Sequence, residues 1–240
     1  MISHKYKCIF IHQRKTAGLS ILSTFKMPTD DPDHVKFNDG VLSLKAPAWE
    51  PDWAEEHENY EDYFVFTVVR NPWDRFVSGW KYCESTRDRS LLDVARSMPP
   101  LHPDYPAHGH DYRHLTRTQT ATLLDDQGNL VTDYVVRFED LQTGFDHVCD
   151  QIGKKRVKLP WRNPTKHKPY TEYYDDESRD LVARAFEKDI NTFGYVFGHD
   201  AECRPTKTKN ARRSNDVNRS NEPKLNFLQK LSKRIRGKSG

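Results

Sequence analysis

The chain has 240 residues, of which 35% are hydrophobic and 30% charged, enough for one α/β domain with a compact core. No apolar run approaches the length that crosses a bilayer. The net charge of +3 is unevenly placed: residues 203–240 hold twelve Lys and Arg against two Asp and Glu, leaving 26 against 33 in the first 202, so an acidic body gives no support to nucleic-acid binding.

In chain order, Tyr6 to His12 reads as a buried strand, and Gln13 to Gly18 as a turn. A helix opens near Leu19 or Ser20 and runs to about Lys26. Met27 to Asp39 is a loop, and Pro47 and Pro51 break any long element over Val41 to Glu58. Tyr63 to Val69 is β-branched and aromatic throughout, as a central parallel strand should be. Asn71 is a natural N-cap and Pro72 a natural first helical residue, which predicts a helix to about Glu84.

A short helix is expected over Ser90 to Met98, a proline-rich loop over Pro99 to Asp111, and a third strand from Tyr134 to Phe138. The next helix spans about Glu139 to Ile152 and stops at Gly153. The last, about Asp175 to Phe193, places Leu181, Val182, Ala185, Phe186, Ile190 and Phe193 on one face. Strands alternating with helices predict an α/β fold, a P-loop-like open parallel sheet flanked by helices in a single domain over residues 1–200. Residues 201–240 form a basic tail in which Leu228, Leu231 and Ile235 recur at helical spacing. Such a tail fits either a solubilising segment or a short amphipathic helix that touches a membrane surface or an acidic partner.

Cys8, Cys83, Cys149 and Cys203 form no CxxC pair, which fits reduced thiols better than a disulfide framework or a zinc knuckle. The opening MISHKYKCIFIH lacks the apolar stretch and cleavage site of a signal peptide, so the cytoplasm is the expected location.

Two motifs carry chemistry. In Ile11-His12-Gln13-Arg14-Lys15-Thr16-Ala17-Gly18-Leu19-Ser20 a strand ends, a turn supplies Lys, Thr and Gly, and a helix begins. Amides at a helix start together with a lysine cradle a phosphate. The nucleotide-triphosphate loop puts a glycine ahead of its lysine. Here the glycine follows, which argues against a small-molecule kinase or other ATP or GTP enzyme. In the second motif, Val69-Arg70-Asn71-Pro72-Trp73-Asp74-Arg75-Phe76-Val77-Ser78, Arg70 ends a buried strand and Ser78 lies eight residues on. An arginine fork with a hydroxyl suits a phosphate monoester. Arg75 is read as a structural partner of Asp74 or Glu139.

Together these motifs resemble the PAPS-dependent sulfotransferase superfamily, in its carbohydrate (Golgi-type and bacterial) branch. There a stretch like IHxPKTAGTSI binds the 5′-phosphosulfate of 3′-phosphoadenosine-5′-phosphosulfate (PAPS), and one like VRNPWDRxxSxW/Y binds the 3′-phosphate. The similarity continues through Val136-Arg137-Phe138-Glu139-Asp140-Leu141 and Asp189-Ile190-Asn191-Thr192-Phe193-Gly194-Tyr195. The resemblance implies transfer of a sulfonate from PAPS to a hydroxyl acceptor, most plausibly a glycan, without a metal. It places Lys15 on the 5′-phosphate and bridging oxygen, with Arg14, Thr16, Ala17, Gly18, Leu19 and Ser20 completing the cradle. Arg70 and Ser78 hold the 3′-phosphate. The chain departs from the pattern at Arg14, where the family has proline, and at Leu19, where it has threonine.

Relatives carry a histidine as general base shortly before the second strand, where this chain has Gly40-Val41-Leu42-Ser43-Leu44-Lys45. His114, in Arg113-His114-Leu115-Thr116-Arg117-Thr118-Gln119, and His34 are the candidates to replace it, either also readable as a structural histidine. The empty position leaves open a non-catalytic nucleotide- or glycan-binding module. His108, His110 and His114 have a spacing zinc tolerates, but the loop offers no cysteine or firmly placed carboxylate, and no metal is expected.

Overall fold

The computed structural model describes residues 1–25, 62–98, 114–125, 127–160 and 168–199. His34, the unreadable loops around it, His108, His110 and the basic tail lie outside the described residues.

The sheet has four strands in the order β1-β2-β3-β4: β1 (Ile2–Ser3), β2 (Cys8–Ile11), β3 (Phe64–Val69) and β4 (Tyr134–Arg137). β2, β3 and β4 run parallel, with Phe10 opposite Phe66 and Val68 opposite Val136. The expected parallel sheet is present with one addition. Residues ahead of the predicted first strand form β1, which pairs antiparallel with β2 through Ile2 and Ile9. The sheet is therefore mixed.

Helices cover both faces, and the pleat assigns residues to each. Ile9, Ile11, Val65, Val69 and Val135 face one core with α2 (Pro72–Tyr82), α3 (Leu91–Arg96), α6 (Asp176–Ala185) and α7 (Glu187–Phe193). Cys8, Phe10, Phe66, Val68 and Val136 face the other, with α1 (Gly18–Phe25) and α5 (Leu141–Gln151). Phe10 and Phe66 stack there with ring centroids 5.0 Å apart. Period-two alternation along strands buried on both sides is what a central parallel sheet demands.

Local chemistry sets the element ends. Asn71 accepts from the Trp73 amide at 3.1 Å and Pro72 opens α2, as the sequence predicts. α2 stops at Tyr82, two residues early, because Thr86 turns back and its hydroxyl donates to the carbonyls of Trp80 and Cys83. The helix expected from Glu139 begins instead at Leu141, after a 3-10 turn over Phe138–Asp140. That turn lets the Glu139 carboxylate accept from the Asn71 amide at 2.7 Å.

The last helix is two helices rather than one. Phe186, at φ −113° and ψ 22°, separates α6 from α7, with its side chain fully buried. The apolar face runs on through Val182 and Phe193, and the break brings the Asp189 carboxylate inward onto amide donors. A fourth short helix after α3, α4 (Thr120–Leu123), was unmarked by any periodicity.

Candidate active site

The two sequence motifs leave adjacent strands and go to opposite faces. β2 feeds α1 on one layer and β3 feeds α2 on the other. Where neighbouring connections diverge beyond the carboxyl ends of parallel strands, an open crevice results, and ligands of α/β sheets bind there.

The first turn is tightly wound. Lys15 and Ala17 both have left-handed backbones, at φ 64° and 61°. Thr16 is fully buried and its hydroxyl donates to the Gln13 carbonyl at 2.8 Å. The Ala17 carbonyl accepts from the Ser20 amide at 2.9 Å and from that of Ile21 at 3.3 Å. The amides of Gly18 and Leu19 precede those first helical bonds, the position from which helix starts hold anions. A Cβ at Gly18 would stand 1.9 Å from the His12 ring, which would have to move aside. Leu19, by contrast, exposes 56% of its surface, so its side chain takes no part in packing this turn.

Arg70 joins this turn to the second motif. Its Nη1 donates to the Lys15 carbonyl at 3.1 Å, its Nε to Asp74 Oδ2 at 2.7 Å, and its guanidinium carbon lies 4.1 Å from the Phe138 ring centroid. No described residue accepts from Nη2. Ser78 is buried on α2 at 8% exposure.

Lys15 itself places its ammonium 3.8 Å from the centroid of Tyr82 at the end of α2. Burial, and next the positive charge of Arg70, pull its pKa down to about 8. Arg14 is also buried, and its Nη1 donates to Nε2 of His114 at 2.7 Å. A guanidinium only donates, so that imidazole is held with its proton on Nδ1 and its Nε2 lone pair on Arg14. The lone pair a general base would use is thus occupied.

The model of the Sulfotransferase family matches residues 1–196, most of the chain and all of the geometry just described. The chain belongs to the sulfotransferase family. No curated protein and no solved structure matches it.

In this sulfotransferase the predicted cradle residues Arg14 to Ser20, with Arg70, come together at one end of the sheet, and His114 joins them through Arg14 and through Tyr82, whose ring centroid is 4.6 Å away. Gly79 makes room for this segment, because a Cβ there would meet the His114 carbonyl at 2.8 Å. Arg75 is structural, as expected, but with other partners. It donates to the Arg117 carbonyl at 2.6 Å and faces Asp189, while Asp74 pairs with Arg70. Burial pushes the Arg75 guanidinium pKa down, and the Asp189 charge opposes that.

Three residues of the site escaped the sequence reading. Tyr82 follows the second motif by only four positions, and its place one helical turn beyond Ser78 was the available signal. Gln119 clasps the backbone of Arg70, and Asp189 anchors Gln119. Asp189 sits in a stretch of family similarity, yet no local pattern marks the role of either. Among the described residues no cluster of His, Cys, Asp or Glu could hold a metal, and no helix is long and apolar enough to cross a membrane.

Proposed function

We propose that this sulfotransferase takes its sulfonate from PAPS and delivers it to a hydroxyl of a carbohydrate. The observation that carries the reading is the Arg70 to Lys15 hydrogen bond, which sets the turn of one motif against the strand end of the other. A single ligand bearing two phosphate groups fits two cationic sites so linked.

In this reading the turn amides with Thr16, Gly18 and Ser20 hold the 5′-phosphosulfate. Lys15 neutralises the charge that grows on the bridging oxygen as its bond to sulfur breaks. Arg70 and Ser78 hold the 3′-phosphate, the group that separates PAPS from ATP. The acceptor oxygen forms the new bond to sulfur and releases its proton to water, and 3′,5′-adenosine bisphosphate leaves with the electrons of the broken S–O bond. Arg14 adds positive charge where the family has proline, and His114 holds that guanidinium in place. The sugar acceptor rests on the likeness of the second motif to the carbohydrate branch. Metal chemistry is not invoked.

Transfer of labelled sulfate from PAPS to a panel of oligosaccharides, lipids and simple alcohols tests the reading. The expected product is a sulfated sugar, formed at an unchanged rate in EDTA. Label on lipid or alcohol alone would refute the acceptor class, and no label on any acceptor would refute the donor.

A further inference from the structure

The hydrogen-bonded ladder ends just before Arg70. Thr67 is the last residue of β3 paired with β2, and Val69 the last paired with β4. A buried N–H or C=O left without a partner destabilises the fold. The side-chain amide of Gln119 takes the place of a neighbouring strand. Its Oε1 accepts from the Arg70 amide at 2.9 Å and its Nε2 donates to the Arg70 carbonyl at 3.0 Å.

Gln119 is fully buried and is itself held. Its amide donates to Asp189 Oδ2 at 2.8 Å, and Thr120 gives both its amide and its hydroxyl to Oδ1 of the same carboxylate, at 2.8 and 2.7 Å. Asp189, also fully buried, comes from α7 on the far side of the break at Phe186. Packing alone would be met by a leucine of similar volume. A glutamine using both ends of its amide on one residue, backed by a buried carboxylate, is built to fix a backbone.

We propose that Gln119 is a positioning residue for Arg70, and that by clamping this strand end it sets the preference for a nucleotide carrying a 3′-phosphate. The inference rests on the reading of Arg70 as the 3′-phosphate ligand. The Arg70 guanidinium reaches Asp74 on α2, the carbonyl of Lys15 in the first turn and the ring of Phe138 after β4. With contacts on three separate segments, the guanidinium depends on the orientation in which the Arg70 backbone sets the Cα–Cβ bond. Gln119 holds the N–H and C=O that define that orientation.

The test is calorimetric titration of the full chain with 3′,5′-adenosine bisphosphate and, separately, with 5′-AMP, beside a thermal melt of each variant. Wild type should bind the bisphosphate at least about tenfold more tightly, the scale of a charge-assisted contact. Gln119→Leu should keep its affinity for 5′-AMP and lose most of that preference. Thr120→Val preserves shape and removes one bond to Asp189, so it should lose about two- to threefold. Equal binding of both ligands by wild type would overturn the reading of Arg70 itself. A wild-type preference that survives intact in a folded Gln119→Leu overturns the role of Gln119 and leaves Arg70 standing, as does an equal loss for both ligands. If Gln119→Leu does not fold, Gln119→Asn, which withdraws the amide by one methylene, decides on the same criteria together with Thr120→Val.

Discussion

The Lys15 ammonium rests 3.8 Å from the centroid of the Tyr82 ring, so a residue of the first motif leans on the helix that the second motif begins. A cation over an aromatic face is held by about 0.5–1 kcal/mol when partly exposed. Tyr82 exposes 53% of its surface, which puts the contact in that range. The lysine is thereby kept over the crevice instead of ranging through solvent.

Lys15→Ala should lower kcat by about 10²–10³-fold while affinity for PAPS falls less than about tenfold, because the bridging oxygen carries more charge in the transition state than in bound PAPS. Tyr82→Phe keeps the ring and should keep the rate, whereas Tyr82→Leu should cost about two- to fivefold in kcat/KM. Steady-state kinetics with PAPS varied checks all three. A loss of affinity in Lys15→Ala without a loss of kcat would make the lysine a binding group only.

The lowered pKa of Lys15 has a direction in pH. With its free-enzyme value near 8, the ammonium is present below that pH and lost above it, so kcat/KM should fall on an alkaline limb near 8. A bound polyanion favours the ammonium, which moves the limb of kcat to higher pH. Lys15→Arg, whose guanidinium stays charged, should remove the limb. A profile of kcat/KM that stays level to about pH 9.5 would contradict the assignment.

Arg70→Lys replaces a planar fork by a point charge, and Ser78→Ala removes a hydroxyl. Bisphosphate affinity should fall by more than about tenfold in the first and about three- to tenfold in the second, with 5′-AMP binding nearly unchanged. Calorimetry on the two ligands gives the result directly. Equal weakening of both nucleotides would move the 3′-phosphate away from this strand end.

His114 accepts from Arg14, so its removal should act through binding. His114→Ala should raise the KM for PAPS by about five- to twentyfold with kcat within about threefold of wild type. His114→Gln, which still offers an acceptor to Arg14, should restore much of it. A drop in kcat above about tenfold in both variants, with KM unchanged, would instead identify His114 as the general base.

The strands and the two motifs were readable because each is local. Phe66-Thr67-Val68-Val69 is apolar or β-branched throughout because both its faces are buried, and Asn71-Pro72 writes a helix start in two residues. The edge strand was not readable, since Ile2–Ser3 is too short to show alternation. Nor was the break at Phe186, because the apolar face continues on both sides of it. Gln119 and Asp189 lie furthest from reach: their bonds span 49 and 70 positions, and a buried carboxylate in a helical pattern looks like a solvated one. The turn from Arg14 to Ser20 could be located from sequence, but the pairing of Arg14 with His114, 100 positions apart, could not.

Ala17 holds a left-handed backbone at φ 61° although it carries a Cβ. That conformation costs roughly 1–2 kcal/mol for a residue other than glycine. Any search for thermostable versions of this chain will therefore be drawn to Ala17→Gly, which relieves the strain in the folded state while increasing the freedom of the unfolded one. In the proposed reading the same substitution also loosens the segment whose amides hold the donor. Heat resistance and turnover thus compete at one methyl group, and stabilising programmes should leave position 17 untouched.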